Sequence, residues 1–588
     1  MDSQRRLLLA IALSFAVTVL YMMVNPPVPP PEAQPAAAPS ANAPKVAAPT
    51  PTPLPAGTPS AAAPAAPVAV AETASVPVKR VTLTRDTSRY VWNSQGASLA
   101  EALLLGEKTK EQERVTLREA FERFTGRKEA VSKAMNLSVP LAGRPPPLST
   151  AIEGPVPFAA DAAFEVLEET PQSIRFRAAQ QGWEVIKEFR WPKEGYELLM
   201  TLTVRNTTQE ARTGELWLHT TREVDPSTEE APSFFGGVGN QASAACAVGE
   251  ELEKRAPSDD PPETLKGPIR FFGVDHQYFL AAVFPLSPSE GRCVFVASPK
   301  ERAASAAFAL SLAPGESHTS RYGIYLGPKD VDALAGVPSS ALLAVGAQPV
   351  TAPAPQLERT VDFGIWTVLC KALLWSMKKF YALAGNWGVA IILLTVLVKL
   401  VLFPLTHRSM VGMEAMKKLQ PQVETIRKKF VNDRERQQME TMKLYQQAKV
   451  NPFGSCMLML VQMPVWIALY TTLRTSYELY REPLVGPVWL DLTYKDPTYL
   501  FPILLGVTMV LTAKLQPPAA DPVQQKMFTW FMPIFFSAVL LATPSGLTLY
   551  MLTNNILSIG QTYALRRWLD RRAGAGPAVP QVLVEKRK

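Results

Sequence analysis

Five apolar segments crowd the last third of the chain, at 387–405, 453–473, 498–513, 527–543 and 547–565, and none contains an Asp or a Glu. Each is 16–21 residues long, close to the ~20 that a helix needs to cross a hydrocarbon layer about 30 Å thick. In that layer every backbone amide must be satisfied within the fold, so the pattern predicts an α-helical membrane bundle. The fourth and fifth segments are split only by Thr543-Pro544-Ser545-Gly546, a turn signal. They read as one re-entrant hairpin or as two crossings, and their joint length of 39 residues favours two crossings.

Charge then orients the bundle. The net +8 invites a nucleic-acid reading, but its distribution opposes one. Residues 77–362 carry 31 basic and 37 acidic groups, whereas 363–588 carry 26 and 12. Basic groups that flank apolar segments mark the cytoplasmic side of a membrane protein. The 406–452 loop holds 10 basic and 5 acidic residues, the 474–497 loop 3 and 4, and the 566–588 tail 7 and 2. Loop and tail are therefore expected inside, and 474–497 outside.

Upstream, Arg5 and Arg6 precede an apolar run over residues 7–24. It reads as a cleaved signal peptide or as an uncleaved anchor. Tyr21-Met22-Met23-Val24 offers no small-residue cleavage site, which favours a transmembrane anchor over 1–24 with its N-terminus inside. Residues 25–76 form a linker; 15 of the 45 residues from 26 to 70 are Pro and 15 are Ala, a composition that favours extended chain over a packed core. Alternating runs recur in 77–345, as in Val81–Thr84, Ser173–Arg177, Glu184–Arg190 and Leu198–Arg205. Period-two alternation predicts strands with one buried face, and so many of them predict a large β-sandwich, with a helix around 108–125. At 363–383, Lys371 and Lys378 stand seven apart on an apolar, aromatic stretch; this predicts an amphipathic helix in the membrane interface, its lysines reaching headgroups.

Catalytic chemistry finds little support. The four cysteines form no CxxC pair, and the four histidines no HExxH. Phosphate-loop and nucleophile-elbow motifs are absent. Neither metal nor cofactor is expected, and no enzyme. Cys246 and Cys293 read as a disulfide, if their domain is extracytoplasmic, or as two separate buried thiols.

The residues with functional weight are polar ones inside the apolar segments. Lys399 lies within 387–405 without an acidic partner in any of the five segments, at a cost of at least ~2.5–3.5 kcal/mol on insertion scales. It reads as snorkelling to the interface or as facing a hydrated cavity. Thr395, one turn earlier, favours a polar stripe. Gln462, the pair Thr508 and Thr512, and the run Asn554, Ser558 and Gln561 supply matching groups in other segments. Singly these read as interhelical hydrogen bonding; together they suggest a polar pocket. The 406–452 loop reads as two helices joined near Asn432-Asp433, with methionines at 410, 413, 416, 439 and 442. Met410, Met413, Met416, Met439 and Met442 suit a surface that accepts varied apolar partners, or an ordinary hairpin core.

Short motifs then carry a resemblance. They are Gly385-Asn386-Trp387-Gly388, Phe403-Pro404-Leu405-Thr406, Leu419-Gln420-Pro421, Lys449-Val450-Asn451-Pro452, Gln462-Met463-Pro464, Asp496-Pro497, Asp521-Pro522 and Pro544-Ser545-Gly546-Leu547. Over about 365–568 the chain resembles the YidC/Oxa/Alb family of membrane-protein insertases, and upstream its layout resembles the Gram-negative members. The resemblance implies a multi-domain membrane protein: a five-helix insertase core over 387–565, an N-terminal anchor and a large periplasmic β-sandwich. It implies insertion and folding of nascent inner-membrane proteins through a hydrophilic groove, alone or with the Sec translocon. Implied partners are nascent membrane proteins, the Sec translocon with its accessory subunits, membrane lipids and the ribosome; nucleic acid is not read by sequence. The groove role falls on Lys399, Thr395, Gln462, Thr508, Thr512, Tyr550, Met551, Asn554 and Ser558, and substrate capture on the five hairpin methionines. Two positions depart from the family. Lys399 stands where relatives usually carry arginine, and Met551 where they often carry an aromatic residue.

Overall fold

The computed structural model describes residues 78–106, 134–227, 229, 241–345, 353–431, 433–448, 450, 454–484, 491–515 and 525–573. The expected anchor (1–24), linker (25–76), the 108–125 helix and the tail beyond 573 lie outside the described residues.

The N-terminal part is built on antiparallel sheet. Strands β1 (Arg80–Thr84), β2 (Ser88–Asn93), β3 (Ser98–Leu104) and β4 (Met135–Asn136) form a four-stranded sheet. A 13-stranded sheet follows, ordered β5-β10-β16-β15-β13-β14-β17-β9-β8-β7-β6, with β11 and β12 attached through β13. These are β5 (Thr150–Glu153), β6 (Glu165–Thr170), β7 (Ser173–Gln180), β8 (Trp183–Arg190), β9 (Glu197–Asn206), β10 (Arg212–Glu223), β11 (Ser243–Val248), β12 (Glu251–Arg255), β13 (Glu263–Asp275), β14 (Phe279–Pro285), β15 (Glu290–Ser298), β16 (Glu301–Leu312) and β17 (Ser317–Pro328). All four alternating runs are strands, in β1, β7, β8 and β9. In β7, Ile174, Phe176 and Ala178 point inward while Arg175 and Arg177 face water, as a half-buried strand requires. Trp92 packs against Phe189 inside the core, ring centroids 4.1 Å apart and tilted, and Trp183 and Trp191 are also fully buried. Cys246 on β11 and Cys293 on β15 are joined as a disulfide, both without exposure.

Lys187 on β8 is also fully buried, and among the described residues it pairs with no carboxylate. Its ammonium donates to Gly96 O (3.1 Å), Ala97 O (3.1 Å) and Leu148 O (2.6 Å). All three acceptor residues have left-handed backbone (φ 71°, 41° and 61°), so their carbonyls turn inward and gather around the lysine. This ties the small sheet to the large one.

Two short helices, α1 (Val331–Ala335) and α2 (Ser340–Ala344), lead to the C-terminal helices: α3 (Thr367–Ala384), α4 (Trp387–Val401), α5 (Phe403–Lys429), α6 (Arg434–Gln447), α7 (Gly454–Thr475), α8 (Leu500–Leu515), α9 (Met532–Leu540, preceded by a π-turn at Met527–Phe531) and α10 (Ser545–Ala573). Gly385 ends α3 in left-handed backbone at φ 66°. Asn386 then caps α4 by accepting from Val389 N at 3.0 Å, and Trp387 stacks on Tyr381 at 4.6 Å. The Gly-Asn-Trp motif is thus a helix stop, a helix start and an anchor for the corner. The helix expected to run through Leu405 instead ends at Val401, and α5 leaves at a bend of 67°. Pro404 in the first turn of α5 supplies the reason, because it has no amide to continue α4. Among the described residues no single helix is long and apolar enough to cross a membrane; α4 and α5 pass that test as a bent pair.

The two parts share a core. Leu199, Phe271 and Leu280 of the sheet belong to one apolar cluster with Leu373 of α3, Leu394 of α4, Leu469 of α7 and Leu549 of α10. Tyr477 and Tyr480, just after α7, insert into the β-domain core against Phe279 (5.8 and 5.5 Å), and Tyr480 also meets Tyr278 (4.4 Å). Gln277 Nε2 donates to Arg474 O at 2.6 Å. Lys378 corrects an expectation. It does not reach headgroups but pairs with Asp332 of α1 and Glu478, each at 2.8 Å. Both carboxylates lie far from it in sequence, so helical periodicity alone could not place them. Lys371 and Lys379 are exposed on α3, as are Val368, Trp375 and Leu383, and Ile365 is exposed in the turn just before it.

Candidate functional site: a polar seam in the helical bundle

Three helices bring polar side chains together in an otherwise apolar bundle. From α4, Lys399 Nζ donates to Ser558 Oγ of α10 at 2.7 Å. Ser558 Oγ donates in turn to Asn554 O at 2.8 Å, one turn earlier on α10. From α7, Gln462 Nε2 donates to Asn554 Oδ1 at 2.8 Å. The seam is therefore a connected chain of Lys399, Ser558, Asn554 and Gln462. Lys399 is 8% exposed, and among the described residues it has no carboxylate partner. Its lone charge thus faces a neutral acceptor, and two of its three N–H donors remain for a ligand or water. One turn beyond Ser558, the Gln561 Oε1 is buried and has no hydrogen-bond partner among the described residues. Buried polar atoms are rarely left so unless water or a ligand completes them.

Other residues expected here play different parts. Thr395 is fully buried, but its hydroxyl donates back to Ile391 O at 2.7 Å. Thr508 donates to Leu505 O and Thr512 to Thr508 O, at 2.9 and 2.8 Å, within α8. These three hydroxyls are committed to their own helices. Tyr550 is buried and Met551 half-buried, both in the apolar cluster beside the seam. In the hairpin Met410 is buried, Met413 and Met416 are half-buried, and Met439 and Met442 are 49% and 39% exposed. The outward methionines lie on α6.

A second cluster escaped the sequence reading. Arg566 of α10 donates through Nε to Glu414 of α5 at 2.5 Å, and through Nη2 to Leu515 O at the end of α8. Beside it, His407 of α5 meets the Trp568 ring edge-on at 6.0 Å. Together these contacts hold the root of the hairpin to the last helix. In the sequence Arg566 reads only as one of the tail's basic charges, and Glu414 on the facing hairpin helix is the signal that points to its partner.

Comparison with known proteins places these elements in context. A family model described as "60Kd inner membrane protein" matches residues 379–572, and one described as "YidC periplasmic domain" matches residues 80–376. A protein called membrane protein insertase YidC from Anaeromyxobacter sp. (strain Fw109-5) is 36% identical over 509 residues, covering 85% of this chain and 86% of its own. The protein of that name from Geobacter sulfurreducens is 37% identical over 389 residues, covering 66% and 69%. A crystal structure described as an active YidC insertase with its first transmembrane domain resolved aligns over 83% of this chain and 94% of its own. Its identity is 16% and its TM-score 0.36, too distant a likeness to bear on the fold.

Proposed function

The chain belongs to the YidC family of membrane protein insertases, and we propose that it inserts nascent membrane proteins by receiving their polar segments at the Lys399 seam. The observation that carries this reading is the connected polar chain inside an apolar bundle, which among the described residues holds one cation and no carboxylate. A polar extracytoplasmic segment that reaches the seam has a shorter low-dielectric path left to cross. An ammonium with free donors attracts carboxylates on that segment. The membrane potential adds about 2.3 kcal/mol per negative charge per 100 mV for outward movement. The apolar substrate helix then leaves sideways into lipid. No covalent step is needed.

In this reading the bundle crosses the bacterial inner membrane five times and the anchor once, with both termini in the cytoplasm. The buried disulfide supports a periplasmic β-domain, because such bonds persist in oxidising compartments. Helix α4 has 15 residues and α8 has 16, about 22–24 Å at 1.5 Å per residue. That is short of ~30 Å, so the bilayer thins locally around them. The exposed methionines of α6 give incoming chains an adaptable first contact, and α3 lies in the outer interface with Lys371 and Lys379 toward lipid headgroups. The Sec translocon and the ribosome are the partners expected of such an insertase.

The test is depletion of the insertase in a related bacterium, with rescue by this chain and insertion of small one- and two-span substrates as the readout. Rescue supports the proposal. Membrane-localised protein that restores no insertion contradicts it.

A further inference from the structure

We propose that Ser558 is the positioning residue that keeps the Lys399 ammonium in the seam, and that it thereby sets a preference for substrates whose translocated segment carries carboxylates. The inference rests on the function proposed above.

Lys399 stands two residues before the end of α4, about 3 Å along the helix axis from the bend. A lysine stem is long enough to carry its charge over such a distance to an aqueous interface. Something must therefore hold the ammonium inside, and among the described residues its one acceptor is Ser558 Oγ. The Thr395 hydroxyl, a turn earlier on α4, donates to Ile391 O, and that of Thr562, a turn later on α10, to Ser558 O at 2.8 Å; neither oxygen accepts from the ammonium. Ser558 spends its proton on Asn554 O, which turns an oxygen lone pair toward Lys399. Asn554 is fixed in turn by Gln462 of α7. The place of the charge is thus read from two other helices through one hydroxyl.

The experiment uses the full-length chain in cells depleted of the host insertase. Two single-span substrates differ only by Asp-to-Asn changes in the translocated segment, and the ratio of acidic to neutral insertion is measured. S558A should lower that ratio about tenfold, the order of one hydrogen bond to a charged group. S558T, which keeps the hydroxyl, should restore it, and K399Q should abolish the preference. If K399Q abolishes the preference while S558A keeps the wild-type ratio, the Ser558 inference fails and the groove reading stands. A lower ratio in S558A that S558T does not restore also overturns the inference, as does equal loss of both substrates. If K399Q itself keeps the preference, both readings fail.

Discussion

Replacing Lys187 by methionine should remove a pH dependence from the stability of the β-domain. The lysine is fully buried, and burial lowers its pKa to about 7, against ~10.4 for a free lysine. As pH rises through 7 the folded protein releases this proton, while the unfolded chain holds it until about 10.4. Between those values the unfolded state binds more protons, so stability rises with pH. The contribution is fully present above about 10.4 and is lost as pH falls through 7. From pH 6 to pH 9 the gain is on the order of 2–3 kcal/mol for a single group with this shift. Lys329, lowered to about 8 chiefly by its own burial, and the buried tyrosines titrate in both proteins and cancel in the difference. The assay is urea unfolding of the full-length protein in detergent, followed by fluorescence of the buried Trp92, Trp183 and Trp191. Wild type minus K187M should change by roughly 2–3 kcal/mol between pH 6 and pH 9. A difference constant to within about 0.5 kcal/mol would refute the linkage reasoning.

The hairpin supplies further predictions. E414Q should release α5 from Arg566 and raise amide exchange over residues 403–447 several-fold, without changing exchange in the β-domain; unchanged exchange would show that the ion pair is not what holds the hairpin. Replacing Met439 and Met442 together by serine should lower crosslinking of nascent chains to α6 by roughly half or more, since flexible apolar contact area is lost. Undiminished crosslinking would move substrate capture elsewhere. Deleting most of 77–345 should impair growth less than deleting 406–452, and the opposite order in a depletion strain would assign the essential activity to the β-domain.

Strands were legible where alternation was strict, as in β7, because a half-buried sheet face imposes a period of two on the sequence. Helix boundaries were legible where chemistry marks them. Gly385 and Asn386 announce a stop and a start, and Pro404 explains why α4 ends at Val401 and not at Leu405. Lys399, Gln462, Asn554 and Ser558 stood out because polar groups in apolar segments are expensive. Their joining was not legible, since Lys399 and Ser558 lie 159 residues apart and Gln462 and Asn554 lie 92 apart. Thr395, Thr508 and Thr512 looked equally suited, but a hydroxyl can satisfy itself on its own helix. Lys378 was misassigned for a related reason. Amphipathic spacing predicts which face a side chain occupies, not which distant carboxylate will meet it there.

The central claim is that one positive charge in the bundle receives the polar part of a substrate. Its most direct test is insertion of a substrate with an acidic translocated segment by the Lys399→Arg and Lys399→Glu variants, each at wild-type abundance in the membrane. The account predicts near-normal insertion by the arginine variant, and loss of most insertion by the glutamate variant, which sets like charges against each other at the seam. Normal insertion by Lys399→Glu would contradict it.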